Sequence, residues 1–125
     1  MSSVPVFLLK KLYVKGSLKN TETGFELSIQ NTIAPATLMG LNPLKVDGVE
    51  YPLAQTTVLL PGGETLSLSD VSSRSPQRFG IGDRVTIRIE GQPLPAGPHK
   101  IIIAPKTKEA GTLAIPAEDT IAPPA

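Results

Sequence analysis

The chain has 125 residues and a formal net charge of +1, and it contains neither cysteine nor tryptophan. The missing cysteine excludes disulfides, thiolate metal sites and thiol nucleophiles, and the balanced charge lacks the basic stripe typical of nucleic-acid or acidic-membrane binders. Hydrophobic residues make up 40% of the chain but only five are aromatic, so Val, Ile and Leu must build the core of a single domain. These residue types mostly favour strands.

The first predicted element is a strand over residues 6–14, an apolar run followed by a pair of lysines. A secretory signal has the opposite polarity, with its charge before a longer apolar core. No stretch reaches the roughly 18 apolar residues of a membrane span. The sequence therefore predicts a cytoplasmic protein that is not in a membrane.

Alternation of apolar and polar residues predicts several of the elements that follow. Residues 25–30 alternate in this way, which is typical of a strand with one buried face. In residues 44–51, Asp47 and Gly48 separate two alternating arms. Asp-Gly tolerates the positive φ angles of a type I′ turn, so a tight hairpin is expected there.

Two further hairpins are predicted in the second half of the chain. One pairs residues 56–60 with residues 64–68 across a Pro-Gly-Gly turn. The other pairs residues 85–89 with residues 100–104. In that last strand the uninterrupted Ile-Ile-Ile run indicates a strand covered on both faces.

With a final strand over residues 112–115, these elements amount to about eight short strands separated by turn signals about every 8 to 12 residues. This spacing predicts an all-β fold: a single-domain antiparallel β-sandwich, with a small barrel as the alternative. Residues 1–116 would form the sandwich domain. The proline- and alanine-rich residues 117–125 would form a mobile C-terminal tail.

Two long connections, residues 31–43 and residues 70–83, interrupt this regular spacing. Their large apolar side chains must either cap the core, which is the commoner outcome, or face a partner. Arginines beside them would suit the rim of an interface. The candidate partner-binding residues are Leu38, Met39, Leu41, Arg74, Arg78 and Phe79.

His99 is the only histidine, so a Ser-His-Asp triad or a histidine-containing zinc site would have to use it. It follows a Gly-Pro turn, where a plain hydrogen-bonding role is favoured. A structural zinc site needs four ligands, commonly Cys and His. Asp47 and Asp83 are explained by turns. The sequence therefore predicts no catalytic residue, no metal ligand and no cofactor in this chain.

Four segments, taken in order, are similar to a known family. They are Leu44-x-Val46-Asp47-Gly48-x-x-Tyr51-Pro52, Leu66-x-Leu68-x-Asp70, Phe79-x-x-Gly82-Asp83-x-Val85-x-Ile87-x-Ile89 and Leu94-Pro95-x-Gly97-x-His99-x-Ile101-x-Ile103. Together they resemble the small (beta) subunit family of the C-glycoside deglycosidases. The resemblance implies a β-sandwich bound to a larger barrel subunit, which holds a divalent metal and eliminates the aglycone from a 3-oxo-C-glycoside.

Two functions are therefore kept open. The first is a non-catalytic accessory subunit of such a carbon–carbon lyase, which packs against the larger subunit through the two long connections and helps form its substrate pocket. The second is a stand-alone sandwich without enzymatic activity, which self-assembles into a homo-oligomer or binds a ligand. An independent enzyme is the weakest alternative, because no residue pattern points to an active site.

Overall fold

The structure is a computed structural model that describes residues 5–67 and 77–122. It contains one short helix and many short strands. The helix α1 spans Val6–Leu9 and continues into a 3₁₀ turn, Lys10–Leu12. A second 3₁₀ turn spans Leu53–Gln55. The strands are β1 (Lys19–Thr21), β2 (Gly24–Gln30), β3 (Ala36–Leu41), β4 (Leu44–Val46), β5 (Val49–Tyr51), β6 (Thr56–Leu59), β7 (Thr65–Ser67), β8 (Gln77–Phe79), β9 (Arg84–Glu90), β10 (Gly97–Ile103), β11 (Pro105–Thr107), β12 (Gly111–Thr112) and β13 (Ile115–Ile121).

These strands form three antiparallel sheets. The five-stranded sheet has the order β1-β2-β9-β6-β7, and the two four-stranded sheets have the orders β13-β10-β4-β5 and β12-β11-β3-β8. The chain passes between the four-stranded sheets three times: from β12 to β13, and, at one shared crossing, from β3 to β4 and from β10 to β11. At this crossing the Asn42 amide donates to the Ala104 carbonyl oxygen over 2.9 Å. The two sheets thus form one composite layer.

The five-stranded sheet packs its apolar face against this composite layer. Phe25 of β2 meets Tyr51 of β5 edge to face, with ring centroids 5.2 Å apart. Farther along, a cavity of about 20 Å³ lies between side chains of the two layers, among them Ile87 and Leu38. Since about 25 cal/mol is gained for each Å² of apolar surface removed from water, this shared interior is the main source of stability. The predicted all-β, sandwich-like fold is confirmed.

Two of the predicted hairpins are confirmed. Leu44–Val46 pairs with Val49–Tyr51, and the turn residues Asp47 and Gly48 have φ angles of 53° and 84°. Both angles are positive, as a type I′ turn requires. The hairpin across the Pro-Gly-Gly turn is formed by β6 and β7.

The third predicted hairpin is wrong, because β9 and β10 belong to different sheets. β9 lies between β2 and β6, whereas β10 lies between β13 and β4. Alternation shows which face of a strand is buried, and it is equally satisfied by any partner in the sandwich. The expectation that Ile101–103 is covered on both faces also fails, since Ile102 is 44% exposed.

Both ends of the domain differ from the prediction. Residues 6–14 begin as α1 and its 3₁₀ turn, which bury Leu9 and Leu12 three positions apart. At the other end, residues predicted to be a mobile tail form most of β13, which pairs with β10 along its whole length. The sandwich therefore extends to Ile121 within the described residues.

Gly24, the first residue of β2, has no room for a side chain. A Cβ atom added there would overlap the carbonyl oxygen of Ile89 on the neighbouring strand β9. We expect Gly24→Ala to lower the free energy of unfolding by roughly 1–3 kcal/mol, as overpacking usually does. Urea denaturation measures the loss. Gly62→Ala is the matched control, because its added Cβ meets nothing within 4 Å, and equal midpoints for the two variants would contradict the prediction.

Candidate binding groove

An open groove of about 590 Å³ lies on the outer face of β10 and β13. Its side is formed by the N-terminal segment, through Lys10, Tyr13 and Lys15, and its floor includes Lys100 and Ile102. The volume lies within the range of about 300–1,000 Å³ that is usual for ligand pockets. We call this feature the basic groove.

The basic groove concentrates positive charge. Its lining includes three lysines and one glutamate, Glu118, a net charge of +2, whereas the whole chain carries +1. Lys15 donates from Nζ to the carbonyl oxygen of Glu118 over 2.7 Å. Within the described residues, Lys10 and Lys100 form no ion pair, while Lys45 on the same sheet lies 3.6 Å from Glu50. The groove lysines thus keep their charge available.

A buried carboxylate fixes the N-terminal side of the groove. Asp119 lies on β13, and its Oδ2 atom accepts two hydrogen bonds. One comes from the Tyr13 hydroxyl over 2.6 Å, and the other comes from the Gly16 amide over 2.8 Å. The Leu18 amide lies 3.4 Å from that atom, and the Thr120 amide donates to Oδ1. We call these contacts the Asp119 cluster. They hold the segment that carries Lys15 against β13.

The pKa values of the two ionisable groups in the Asp119 cluster, Tyr13 and Asp119, shift in opposite directions. Burial, and next the hydrogen bond to Asp119, raise the pKa of the Tyr13 hydroxyl. Burial alone would raise the pKa of Asp119, but the hydrogen bonds from Tyr13 and from the backbone amides outweigh it and lower that pKa. The proton therefore stays on Tyr13, and Asp119 stays ionised.

A hydrogen-bonded pair, the buried His99 and the exposed Asp47, fixes the Lys100 side. His99 is 5% exposed, and its Nδ1 lies 2.6 Å from Asp47 Oδ2 while its Nε2 lies 2.7 Å from the Pro95 carbonyl oxygen. Asp47 Oδ1 also accepts the Lys100 amide over 2.9 Å. Since both ring nitrogens face acceptors, the protonated imidazolium is the form that satisfies both. The hydrogen-bonding role predicted for His99 is confirmed.

The pKa directions of this pair predict a stability that depends on pH. The Pro95 carbonyl, and next Asp47, raise the pKa of His99 above its ordinary value. The Lys100 amide, and next His99, lower the pKa of Asp47. A raised histidine pKa stabilises the fold fully below the unfolded pKa of about 6.5, and this contribution is lost as the pH rises through the folded value.

We therefore expect the free energy of unfolding to fall as the pH rises above about 6.5 through the folded pKa of His99, and His99→Gln to remove most of this slope. His99 is the only histidine, so the difference between the two proteins isolates its titration from that of the α-amino group. Urea denaturation across this range measures the slope. A variant with the same slope as the parent protein would contradict the assignment.

The residues predicted to bind a partner lie elsewhere. Leu38, Leu41 and Phe79 are buried in the core, because residues 36–41 form β3 and residues 77–79 form β8. Met39 is half-buried and Arg78 is exposed. Arg74 lies outside the described residues. A contact with a partner stays a prediction for the two accessible side chains, and none of the five described residues lines the basic groove.

The described residues contain neither a candidate metal site nor a membrane-spanning helix. In residues 5–67 and 77–122, no group of three or more His, Cys, Asp or Glu side chains is arranged to hold a metal ion. The same ranges contain no helix with the length and apolar character needed to cross a membrane.

The fold and the groove define a class of protein: an all-β, sandwich-like domain with a basic groove on one sheet. The family model of the hydroxymethylglutaryl-CoA reductase N-terminal domain matches residues 8–122, and the chain belongs to this family. A comparison with curated proteins gave no match.

The resemblance to the small subunits of C-glycoside deglycosidases is wrong, because the chain belongs to a different family. The segments that carried the resemblance have structural roles that many sandwiches need. Asp47 and Gly48 form a tight turn, Leu94 packs in the core, and His99 binds the Pro95 carbonyl. A metal-dependent barrel partner and an activity on 3-oxo-C-glycosides therefore no longer follow.

Proposed function

We propose that this chain is a non-catalytic accessory domain of a hydroxymethylglutaryl-CoA reductase-type enzyme. It binds a larger, catalytic domain or subunit and presents the basic groove to it. The observation that carries the proposal is the family match over residues 8–122, whose description is that of one domain of a reductase. A domain of this kind contributes binding and positioning while another part performs the reaction.

The chemistry of the groove supports a binding role. General acid–base catalysis needs a titratable group that can pass its proton to a reacting atom. The Tyr13 hydroxyl is hydrogen-bonded to Asp119. The two ring nitrogens of His99 are hydrogen-bonded to the Asp47 carboxylate and to the Pro95 carbonyl oxygen. The groups left to the groove are three lysine ammonium ions, which attract and orient anions, and the carboxylate of Glu118.

The proposal is tested by purifying the tagged full chain from its native source and measuring the intact complex by native mass spectrometry. We expect a complex of fixed stoichiometry with a larger chain that reduces hydroxymethylglutaryl-CoA. The isolated 13.2 kDa chain is expected to have no such activity. Recovery of the chain alone, or with chains unrelated to the reductase, would overturn the proposal.

Self-association is the second candidate, and a specific observation favours it. The α1 side chains of Val6 and Phe7 are 57% and 64% exposed, and Ile102 on the floor of the groove is 44% exposed. Exposed apolar side chains of this size are common sites of association between copies. Sedimentation equilibrium of the purified chain would show a dimer or a larger closed oligomer if this candidate is correct, and a monomer at all concentrations if it is not.

A further inference from the structure

We propose that the basic groove binds an acidic, extended segment of the partner, with its carboxylates against Lys10 and Lys100. The inference rests on the proposed accessory function and names the surface through which that function operates. Neither membership of the family nor the fold identifies a ligand for this groove.

Charge complementarity identifies the chemistry of the occupant. The groove lining has a net charge of +2, which exceeds the +1 of the whole chain. Elsewhere on the surface, Lys19 lies 3.9 Å from Glu26 and Lys45 lies 3.6 Å from Glu50, so each has a carboxylate of its own. Within the described residues, neither Lys10 nor Lys100 has a carboxylate at ion-pair distance, although Lys100 is attracted by Asp47 at longer range and lies opposite Glu118 in the register. A carboxylate-bearing segment would supply what the chain itself does not.

The floor of the groove favours a peptide over a bare anion. Ile102 is 44% exposed and lies opposite Pro116 in the register of β10 and β13. This apolar strip lies beside the lysines and offers them no counter-charge. In an extended peptide, side chains two positions apart lie on one face, so that face can place carboxylates against the lysines while the peptide backbone between them covers Ile102.

Both sides of the groove are held in place before binding. The Asp119 cluster fixes the segment that carries Lys15, and Asp47 fixes the backbone amide of Lys100. A groove whose backbone is already ordered loses less conformational entropy when it binds, and this favours a stable complex. Asp119, which is buried, and Asp47, which is half exposed, thus order the two sides of the groove.

The probe is the blocked peptide acetyl-Glu-Leu-Glu-Leu-Glu-amide, titrated into the ¹⁵N-labelled full chain and followed by ¹H–¹⁵N spectra. We expect the amides of Lys100, Ile102 and Glu118 to shift. The double variant Lys10→Gln/Lys100→Gln should bind the peptide about fivefold or more weakly. The double variant Lys19→Gln/Lys45→Gln changes the net charge equally at paired lysines and should bind it within about twofold of the parent protein.

The inference would be overturned by shifts confined to other surfaces, by equal loss in both double variants, or by groove shifts with pyrophosphate but not with the peptide. The Gln-Leu-Gln-Leu-Gln counterpart must also fail to bind. All four lysines are exposed, and dispersed spectra verify folding.

If Lys10→Gln/Lys100→Gln still joins the reductase complex with unchanged affinity, the groove assignment fails and the accessory function stands. If no complex forms, the accessory function fails and the peptide titration alone decides the groove.

Discussion

Phe25→Ala is expected to lower the free energy of unfolding by about 4 kcal/mol, in the range of phenylalanine truncations that leave a cavity in a core. Phe25 is fully buried, and it connects β2 of the five-stranded sheet to β5 of the composite layer through its edge-to-face contact with Tyr51. Its removal therefore loses both buried area and a contact between layers.

Urea denaturation followed by far-ultraviolet circular dichroism measures this loss. Phe7→Ala is the matched control, since it removes the same atoms from a side chain that is 64% exposed. We expect the control to change the free energy of unfolding by less than about 0.5 kcal/mol. Similar losses in the two variants would show that Phe25 does not hold the layers together.

The inward faces of the strands could be predicted from the sequence, whereas the order of the strands could not. Val85, Ile87 and Ile89 alternate with polar residues, and the structure buries all three. The same alternation does not distinguish β2 and β6, the true neighbours of β9, from β10. Pairing in a sandwich is set by how whole layers fit together, which no local pattern records.

The N-terminal helix had a local signal that the prediction did not use. Leu9, Leu12 and Tyr13 follow a spacing of three and four residues, which places them on one face of a helical turn, and all three are buried. The strand β13 had a weaker signal. The prolines and alanines of residues 117–125 suggested a mobile tail, yet β13 lies at the edge of its sheet. An edge strand accepts a proline such as Pro116 because its outer side donates to no neighbour.

The basic groove could not have been found from the sequence, because its parts are far apart in the chain. Lys15 donates to a carbonyl 103 positions away, and Tyr13 donates to a carboxylate 106 positions away. Considered alone, Lys10 would be interpreted as a lysine at the edge of a sheet, where its charge discourages strand-to-strand aggregation. Only the pairing of β10 with β13, which brings Lys100 beside Glu118, assembles these residues into one surface.

Asp119→Ala is expected to lower the free energy of unfolding by roughly 3 kcal/mol, because it leaves the Tyr13 hydroxyl and the Gly16 amide without their acceptor. Glu118→Ala is the matched control. Its carboxylate is exposed, and only its backbone carbonyl, which the substitution keeps, contacts Lys15. Chemical denaturation at pH 7 compares the two, and equal stabilities would contradict a structural role for Asp119.

The same carboxylate predicts how the protein responds to acid. A lowered folded pKa means that the contribution of Asp119 is complete above its unfolded pKa of about 3.9 and is lost as the pH falls through the folded value. Asp119→Ala should therefore flatten the loss of stability below about pH 4 relative to Glu118→Ala. Tyr13→Phe removes the hydroxyl alone, and in a double-mutant cycle with Asp119→Ala we expect a coupling of roughly 1–2 kcal/mol. A coupling near zero would mean that the backbone amides, and not Tyr13, are what Asp119 holds in place, and the N-terminal side of the groove would then remain ordered without the tyrosine hydroxyl.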